Sequence, residues 1–330
     1  MKALVYTAPN EVTYRDEPEP AFDEGDVLIA VDAVGICGSD LHAYHGHDPR
    51  RVPPLILGHE LVGRVLEGPG KGRRVTVNPL ITCGHCEYCV QGRDNLCANR
   101  TMIGMTRAGG FAERVATAAR SVIDIPQDMD TRAAALTEPA ATAVHAINLS
   151  MKSLARPLPE CRVLVLGGGA IGMLSALLLR SYGVRQVSVA ETNPLRRASL
   201  EKSAGVAAFD PRGKGGPAAG SMDYVIDAVG AKATRGAAFE AVKPGGVIMH
   251  VGLQDWASEI DMRKLTLAEV TLLGTYTYTT ADLRATVALL HQGSFGDLAW
   301  VEERPLAEGA AAFRDLHEGR TAAAKLVLRP

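Results

Sequence analysis

At 330 residues the chain is long for a single hydrophobic core, so two domains are expected. A composition of 47% apolar and 22% charged residues is that of an ordinary globular protein, and a net charge of −2 gives no reason to expect nucleic acid or an anionic membrane as a partner. Met1-Lys2 leads directly into the strand-like ALVY without a signal-peptide pattern, and the longest uncharged apolar run, Val163 to Leu179, is broken by four glycines. No membrane span is expected, and the expected address is cytoplasmic.

Residues 1–145 carry short β-like runs, VLIAVDAVG, ELVGRVLE, RRVTV and ERVAT, parted by Gly and Pro turns in the manner of a compact β-rich lobe. Within that lobe CGHCEYCVQGRDNLC, residues 83–97, spaces four of the six cysteines as C-x2-C-x2-C-x7-C. Two residues between thiols let a tight turn bring successive sulfurs to one tetrahedral ion at roughly 2.3 Å per bond, and borderline-soft zinc suits four thiolates. Cys83, Cys86, Cys89 and Cys97 are therefore expected to hold a structural zinc with no vacant position for substrate. A redox-active CxxC pair and an unliganded loop are the competing readings. Cys161, just ahead of the next strand, reads as a packing residue.

Residues 146–275 are the second expected domain, and from about residue 160 strand and helix alternate. RVLVLG precedes the helical GMLSALLLRSYG, and QVSVAE precedes NPLRRASLEKSAG, where Asn193 can cap the helix and Pro194 suits its first turn. VAAFD, MDYVIDAVG and GGVIMHVG supply further strands of a parallel, doubly wound sheet, so the fold class is α/β. Residues 276–330 add a helical stretch, TTADLRATVALLHQG, and a last strand, AKLVLRP, expected to rejoin the first lobe.

Gly167-Gly168-Gly169-Ala170-Ile171-Gly172 is a G-x-G-x-x-G that follows a strand and opens a helix, the context this motif requires. Gly167 permits the turn, Gly169 lets the backbone approach a pyrophosphate, and Gly172 allows helix to pack on strand. The helix start, at Ala170 and Ile171, offers unpaired N–H groups to the phosphates. Glu191, nineteen residues past Gly172, can accept both ribose hydroxyls of NAD and repels the 2′-phosphate of NADP. Arg196 and Arg197 stand close enough in sequence to receive that phosphate, which keeps NADP as the less favoured cofactor.

Taken singly, Cys37 reads as a small buried residue and His59 as a turn residue. In order along the chain, GICGSDLH, LGHELVG, the four-cysteine loop, GGFAE, TEPAATAVHA, VLGGGAIG and VKPGGVIMHVG resemble the zinc-dependent medium-chain alcohol and polyol dehydrogenases, nearly end to end. The resemblance implies a GroES-like catalytic domain beside a Rossmann domain, two zinc ions per chain, NAD, and a homo-oligomer, dimer or tetramer. The implied reaction is reversible oxidation of a secondary alcohol or polyol to a ketone, in the manner of the sorbitol and threonine dehydrogenase branch. Cys37, His59 and Glu138 are implied as ligands of a catalytic zinc. Glu60 is implied as the neighbouring carboxylate that binds the metal or swings in when water leaves, and Asp40 as the partner orienting His59. Ser39 and His42 resemble the family's proton relay, whose outer imidazole titrates near working pH. Thr142 and Val251, within two of the matching pieces, are implied as cofactor contacts, and Lys325 as a basic partner of Glu60.

The chain departs from the pattern in places. RVLEGPGKGRRVTV is shorter than is usual, with Pro69 where Gly or Ala is common and Arg73 where an aspartate precedes Arg-Val. The connection GKGGPAAGS is short, so one Rossmann helix is expected to be missing or reduced to a turn. Thr277-Tyr278 stands where sorbitol-type enzymes carry Arg-Tyr, and Ala43 where they often carry an aromatic residue. Both weaken the case for sorbitol and leave a smaller secondary alcohol, a threonine-like amino alcohol or another polyol. His45 and His47 reach the pocket mouth or are plain loop residues. A non-catalytic NAD-binding thiol sensor and a zinc-free quinone reductase are the competing functions; the Cys37, His59 and Glu138 set counts against both.

Overall fold

The computed structural model describes residues 1–213 and 215–330; Lys214, inside the GKGGPAAGS connection, lies outside the described residues. The chain divides into two compact units, one of Met1–Pro139, Thr279–Gln292 and Val301–Pro330, the other of Ala140–Tyr278 and Gly293–Trp300. Among the described residues no helix is long and apolar enough to cross a membrane.

The first unit is built on a seven-stranded sheet centred on Asp26–Gly35, a strand whose apolar residues are nearly all buried. Glu60–Glu67, Arg114–Ala118 and the C-terminal strand Lys325–Arg329 all pair antiparallel with it. The expected runs ELVGRVLE, RRVTV and ERVAT are strands, Glu60–Glu67, Arg74–Val77 and Arg114–Ala118. In the shortened loop between the first two of these, Arg73 donates to Asp124 at 3.0 Å. The core gathers Leu4, Val34, Leu61, Phe111, Phe313 and Leu328, each essentially dry. Burying such a side chain contributes roughly 1.5–3 kcal/mol.

The second unit carries a six-stranded, all-parallel sheet in the spatial order Ala207–Phe209, Gln186–Ala190, Arg162–Leu166, Met222–Asp227, Val242–His250, Thr271–Gly274. That is the 3-2-1-4-5-6 order of a doubly wound dinucleotide fold, with the switch point beside Arg162–Leu166. The helix Ala170–Ser181 buries eight of its residues, as a helix lying on such a sheet must. Pro194–Ala204 is capped as its sequence predicts, with Asn193 Oδ1 accepting from Leu195 N at 2.8 Å and Gly205 ending it in the left-handed region. Between Phe209 and Met222 the described residues form turns and no helix, in line with the shortness of that connection. The sixth strand, TLLG, is absent from the sequence reading: four residues of alternating half-exposure give little periodic signal.

Candidate active site

The short helix Gly38–Tyr44 starts on Cys37, which is extended and caps it: Cys37 Sγ accepts from Ser39 N at 3.5 Å, and Asp40 Oδ2 accepts from Cys37 N at 3.0 Å. This reciprocal cap turns the other Asp40 oxygen toward His59, with Nδ1 and Oδ1 3.5 Å apart and both side chains buried. His59 stands immediately before the strand Glu60–Glu67. Cys37, His59 and Glu60 thus present donor atoms within 4.8 Å of one another. Glu60 lies opposite Gly35 in the ladder, where any side chain would collide with its carboxylate. Lys325, from the last strand, holds that carboxylate at 2.7 and 2.6 Å, the pairing that the resemblance implies. Glu138 is buried in the first turn of Thr137–Met151, and its charge is felt at Lys325.

The pocket attracts positive charge. Burial opposes charging of His59, yet the Asp40 carboxylate and the Cys37 sulfur raise its pKa well above the ordinary imidazole value. Burial likewise opposes ionisation of Asp40, but His59, Arg51 and the Cys37 N–H hold it below the usual carboxylate range. Lys325 is raised against its own burial by Glu60, Cys37 and Glu138. A half-buried sulfur, a buried imidazole and the buried Glu60 carboxylate are a donor set zinc takes, with Asp40 behind the imidazole; Glu138 is not among these converging donors. The residues fit a catalytic zinc.

Ser39 and His42 are three apart on the helix and share a face. Burial, then the charge of His47, lowers the pKa of His42. Sequence reasoning passed over Arg51, which donates to Ser39 Oγ at 3.1 Å from a fully buried position. In the sequence it is one half of an Arg-Arg pair in a polar loop, with nothing to set it apart from its exposed neighbour.

The four-cysteine loop brings Cys83, Cys86, Cys89 and Cys97 within 4.8 Å of one another. The Cys83–Cys89 and Cys86–Cys89 sulfurs are 3.9 and 3.5 Å apart. These spacings bracket the edge, about 3.8 Å, of a tetrahedron with bonds of about 2.3 Å. They are far from disulfide length. Backbone N–H groups of His85 and Cys86 lower Cys83 to about 6, while burial and Cys86 push Cys89 up to about 11. Four thiols this close ionise together only around a cation, so the cluster fits a structural zinc. Asp94, in the same loop, accepts from Thr280 N at 3.1 Å at the start of the helix Thr280–His291.

In the second unit, Gly167 takes φ +95°, Gly169 caps the helix Ala170–Ser181, and Gly172 packs against the Gly167 carbonyl with no room for a side chain. Glu191 folds back on this turn: Oε2 accepts from Gly168 N at 2.8 Å and Oε1 from Asn193 N at 2.7 Å. Arg197 is committed to the Glu191 and Thr192 carbonyls, whereas Arg196 Nε is buried without a hydrogen-bond partner. Val251 is held by its N–H on the Asp227 carbonyl at 2.9 Å, and Thr142 is half-buried within Thr137–Met151.

Of the residues that depart from the sorbitol-type pattern, Ala43 is fully buried in the core of the first unit and Tyr278 is fully buried in the second. Thr277 adopts φ +47°, an unusual conformation for a β-branched residue. His45 pairs with His317 at 2.9 Å rather than standing alone.

Residues 23–127 match the family model described as alcohol dehydrogenase GroES-like domain, and residues 170–292 that of zinc-binding dehydrogenase. The chain is 31% identical to L-galactonate-5-dehydrogenase of Escherichia coli K12, over 97% of this chain and 96% of that one. It is 32% identical to L-threonine 3-dehydrogenase of Chelativorans sp. BNC1, over 97% of each. A solved structure of a zinc-binding dehydrogenase from Sinorhizobium meliloti 1021, bound to NADP, superposes with a TM-score of 0.87 at 31% identity, covering 100% of this chain and 99% of that one.

Proposed function

Because this chain belongs to the zinc-dependent medium-chain alcohol and polyol dehydrogenases, we propose that Cys37, His59 and Glu138 hold its catalytic zinc and that Ser39 and His42 carry the substrate proton away. The protein is an NAD(P)-dependent oxidoreductase that converts a secondary alcohol or polyol reversibly to a ketone. The observation that supports the site assignment is the gathering of half-buried Cys37 with buried His59 and Glu60, Asp40 standing behind the imidazole.

Zinc bound there would supply a Lewis acid that lowers the pKa of the substrate alcohol, and a bound nicotinamide dinucleotide would supply the hydride acceptor. The chain's own groups do the rest. Asp40 keeps the His59 ring turned so that one nitrogen faces the Cys37 sulfur. Lys325 neutralises Glu60, which keeps that carboxylate in reserve and leaves the third ligand position to Glu138. The Ser39 hydroxyl would take the alcohol proton as it gives up its own, which a ribose hydroxyl of the bound dinucleotide would relay to His42, and His42 would release a proton to solvent. Cys83, Cys86, Cys89 and Cys97 hold the structural zinc. These roles place catalysis in residues 1–145 and 276–330 and cofactor binding in 146–275. There the turn from Gly167 through Gly169, Ala170 and Ile171 to Gly172 would receive the pyrophosphate, and Glu191 and Val251, with Thr142 from just ahead of that segment, would position the nucleoside and nicotinamide parts. Glu191 favours NAD; Arg196 is the residue that would admit NADP.

The substrate we favour is a polyol or sugar acid, the class named for the E. coli relative. The similarity to an L-threonine 3-dehydrogenase over 97% of the chain supports an amino alcohol as the second reading. A panel of secondary alcohols, aldonates, polyols and amino alcohols with NAD and with NADP, followed by absorbance of the reduced nicotinamide, decides between them. Turnover of none of these would overturn the proposal. We infer a homo-oligomer; the reading is supported by the open edge of the parallel sheet, where among the described residues Thr271–Gly274 pairs on one side only, with Trp256 93%, Leu267 75% and Leu253 74% exposed nearby in sequence. Sedimentation of the purified chain tests this.

A further inference from the structure

We propose that Arg51 is a positioning residue that fixes the direction of the Ser39 hydroxyl during proton transfer; this rests on the relay role given to Ser39 above.

The guanidinium of Arg51 is fully buried and meets three acceptors from three segments. Nε donates to the Gly104 carbonyl at 3.0 Å, one terminal nitrogen to Asp48 Oδ2 at 2.7 Å, and the other to Ser39 Oγ at 3.1 Å. Asp48 neutralises the charge and is itself held by Arg50, whose Nε lies 2.8 Å from Oδ1. The planar fork therefore cannot swing without breaking at least one of these bonds. Carbonyl and carboxylate partners would suffice to bury an arginine. The third arm reaches a hydroxyl that lies two residues from Cys37 and on the same helical face as His42.

A hydroxyl has one hydrogen to give and two lone pairs, and a guanidinium can only donate. Arg51 thus occupies one lone pair of Ser39 Oγ and forbids its hydrogen from pointing that way. What remains is one lone pair to receive a proton and one O–H to pass a proton on, the inventory of a relay atom. Without the guanidinium the hydroxyl would sample its staggered wells and adopt the transferring one only part of the time. The same cation also opposes a second charge nearby: after burial and His47, Arg51 lowers the pKa of His42, while Asp48 works the other way. A proton arriving at His42 is thereby encouraged to leave for solvent.

The test uses the purified protein with the alcohol that wild type oxidises best. Arg51→Met, Arg51→Lys, Ser39→Ala and the double variant Ser39→Ala/Arg51→Met are compared by kcat, KM, zinc content and the solvent deuterium isotope effect on kcat. Arg51→Met is expected to lower kcat by about tenfold or more, with KM within about twofold and zinc unchanged. The isotope effect should rise, because proton transfer becomes rate-limiting. In the Ser39→Ala background the same substitution should change kcat by less than about twofold, since its effect passes through the missing hydroxyl. Equal slowing in both backgrounds, or wild-type kcat for Arg51→Met, would overturn the inference. Wild-type turnover by Ser39→Ala would instead remove the relay reading itself. Should Arg51→Met fail to fold, Arg51→Lys completes the same cycle: it keeps the charge, loses the fork, and is expected to show the coupling with a smaller loss.

Discussion

Lys325, five residues before Pro330, closes on both oxygens of Glu60 at 2.7 and 2.6 Å, with neither side chain exposed by more than 1%. The pair joins the last strand to the strand that starts next to His59. Removing one partner of a buried ion pair leaves the other charge without solvent or counter-ion, at a cost of about 3–5 kcal/mol. Lys325→Met should therefore lose about that much in chemical denaturation, and adding Glu60→Gln should restore part of it. A loss under about 1 kcal/mol would mean that Glu60 is not charged in the folded protein.

Cys37→Ala should abolish turnover while dinucleotide binding, followed by nicotinamide fluorescence, persists, because the glycine turn and Glu191 belong to the second compact unit. Metal analysis should show the catalytic zinc gone and the structural zinc kept. An active Cys37→Ala variant would contradict the ligand assignment.

Cys89→Ser should act on stability. Asp94 ties the cysteine loop to the first residue of Thr280–His291, so loosening the loop should fray that helix start. We expect a fall in melting temperature of at least about 5 °C and faster amide exchange at Thr280 to Asp282. A variant that melts like the parent but is inactive would defeat the clasp reading.

Glu191→Ala removes the carboxylate that accepts from Gly168 N and would accept from ribose. The ratio of kcat/KM for NAD over NADP should fall by about tenfold or more, as for loss of a charged hydrogen bond. An unmoved ratio would take Glu191 out of the cofactor site.

Asp48 supplies a pH dependence. Burial resists its ionisation, but Arg50 and Arg51 outweigh that and hold its pKa at about 2. A carboxyl depressed on folding contributes stability that is fully present above its unfolded value, near 4, and is lost as pH falls through its folded value. Asp48→Asn should be less stable than the parent at neutral pH, and the gap should close as pH drops from about 4 to about 2. A gap that stays constant through that range would show that Asp48 does not titrate as a depressed acid.

Much of this architecture is legible in the residues themselves. The four clustered cysteines lie within one fifteen-residue stretch, and the glycine turn, its strand and its helix are contiguous, so local spacing makes both legible. The capping of Pro194–Ala204 by Asn193 is equally local. The strand Thr271–Gly274 is not legible, because four half-exposed residues become a strand only by pairing with Val242–His250. The pairing of His45 with His317, 272 positions apart, is hidden for the same reason.

Residue type and short-range spacing determined the fold class, the four-thiol clasp and the dinucleotide turn, while Cys37, His59 and Glu138 were implied only by the resemblance to known dehydrogenases. The tertiary structure gave the distances of pairs that the resemblance implied, Lys325 on Glu60 and Asp40 behind His59, and it alone decided that the buried Arg51 reaches Ser39. Electrostatic energies are set by separation and burial in space, and neither quantity is written in the order of residues along a chain.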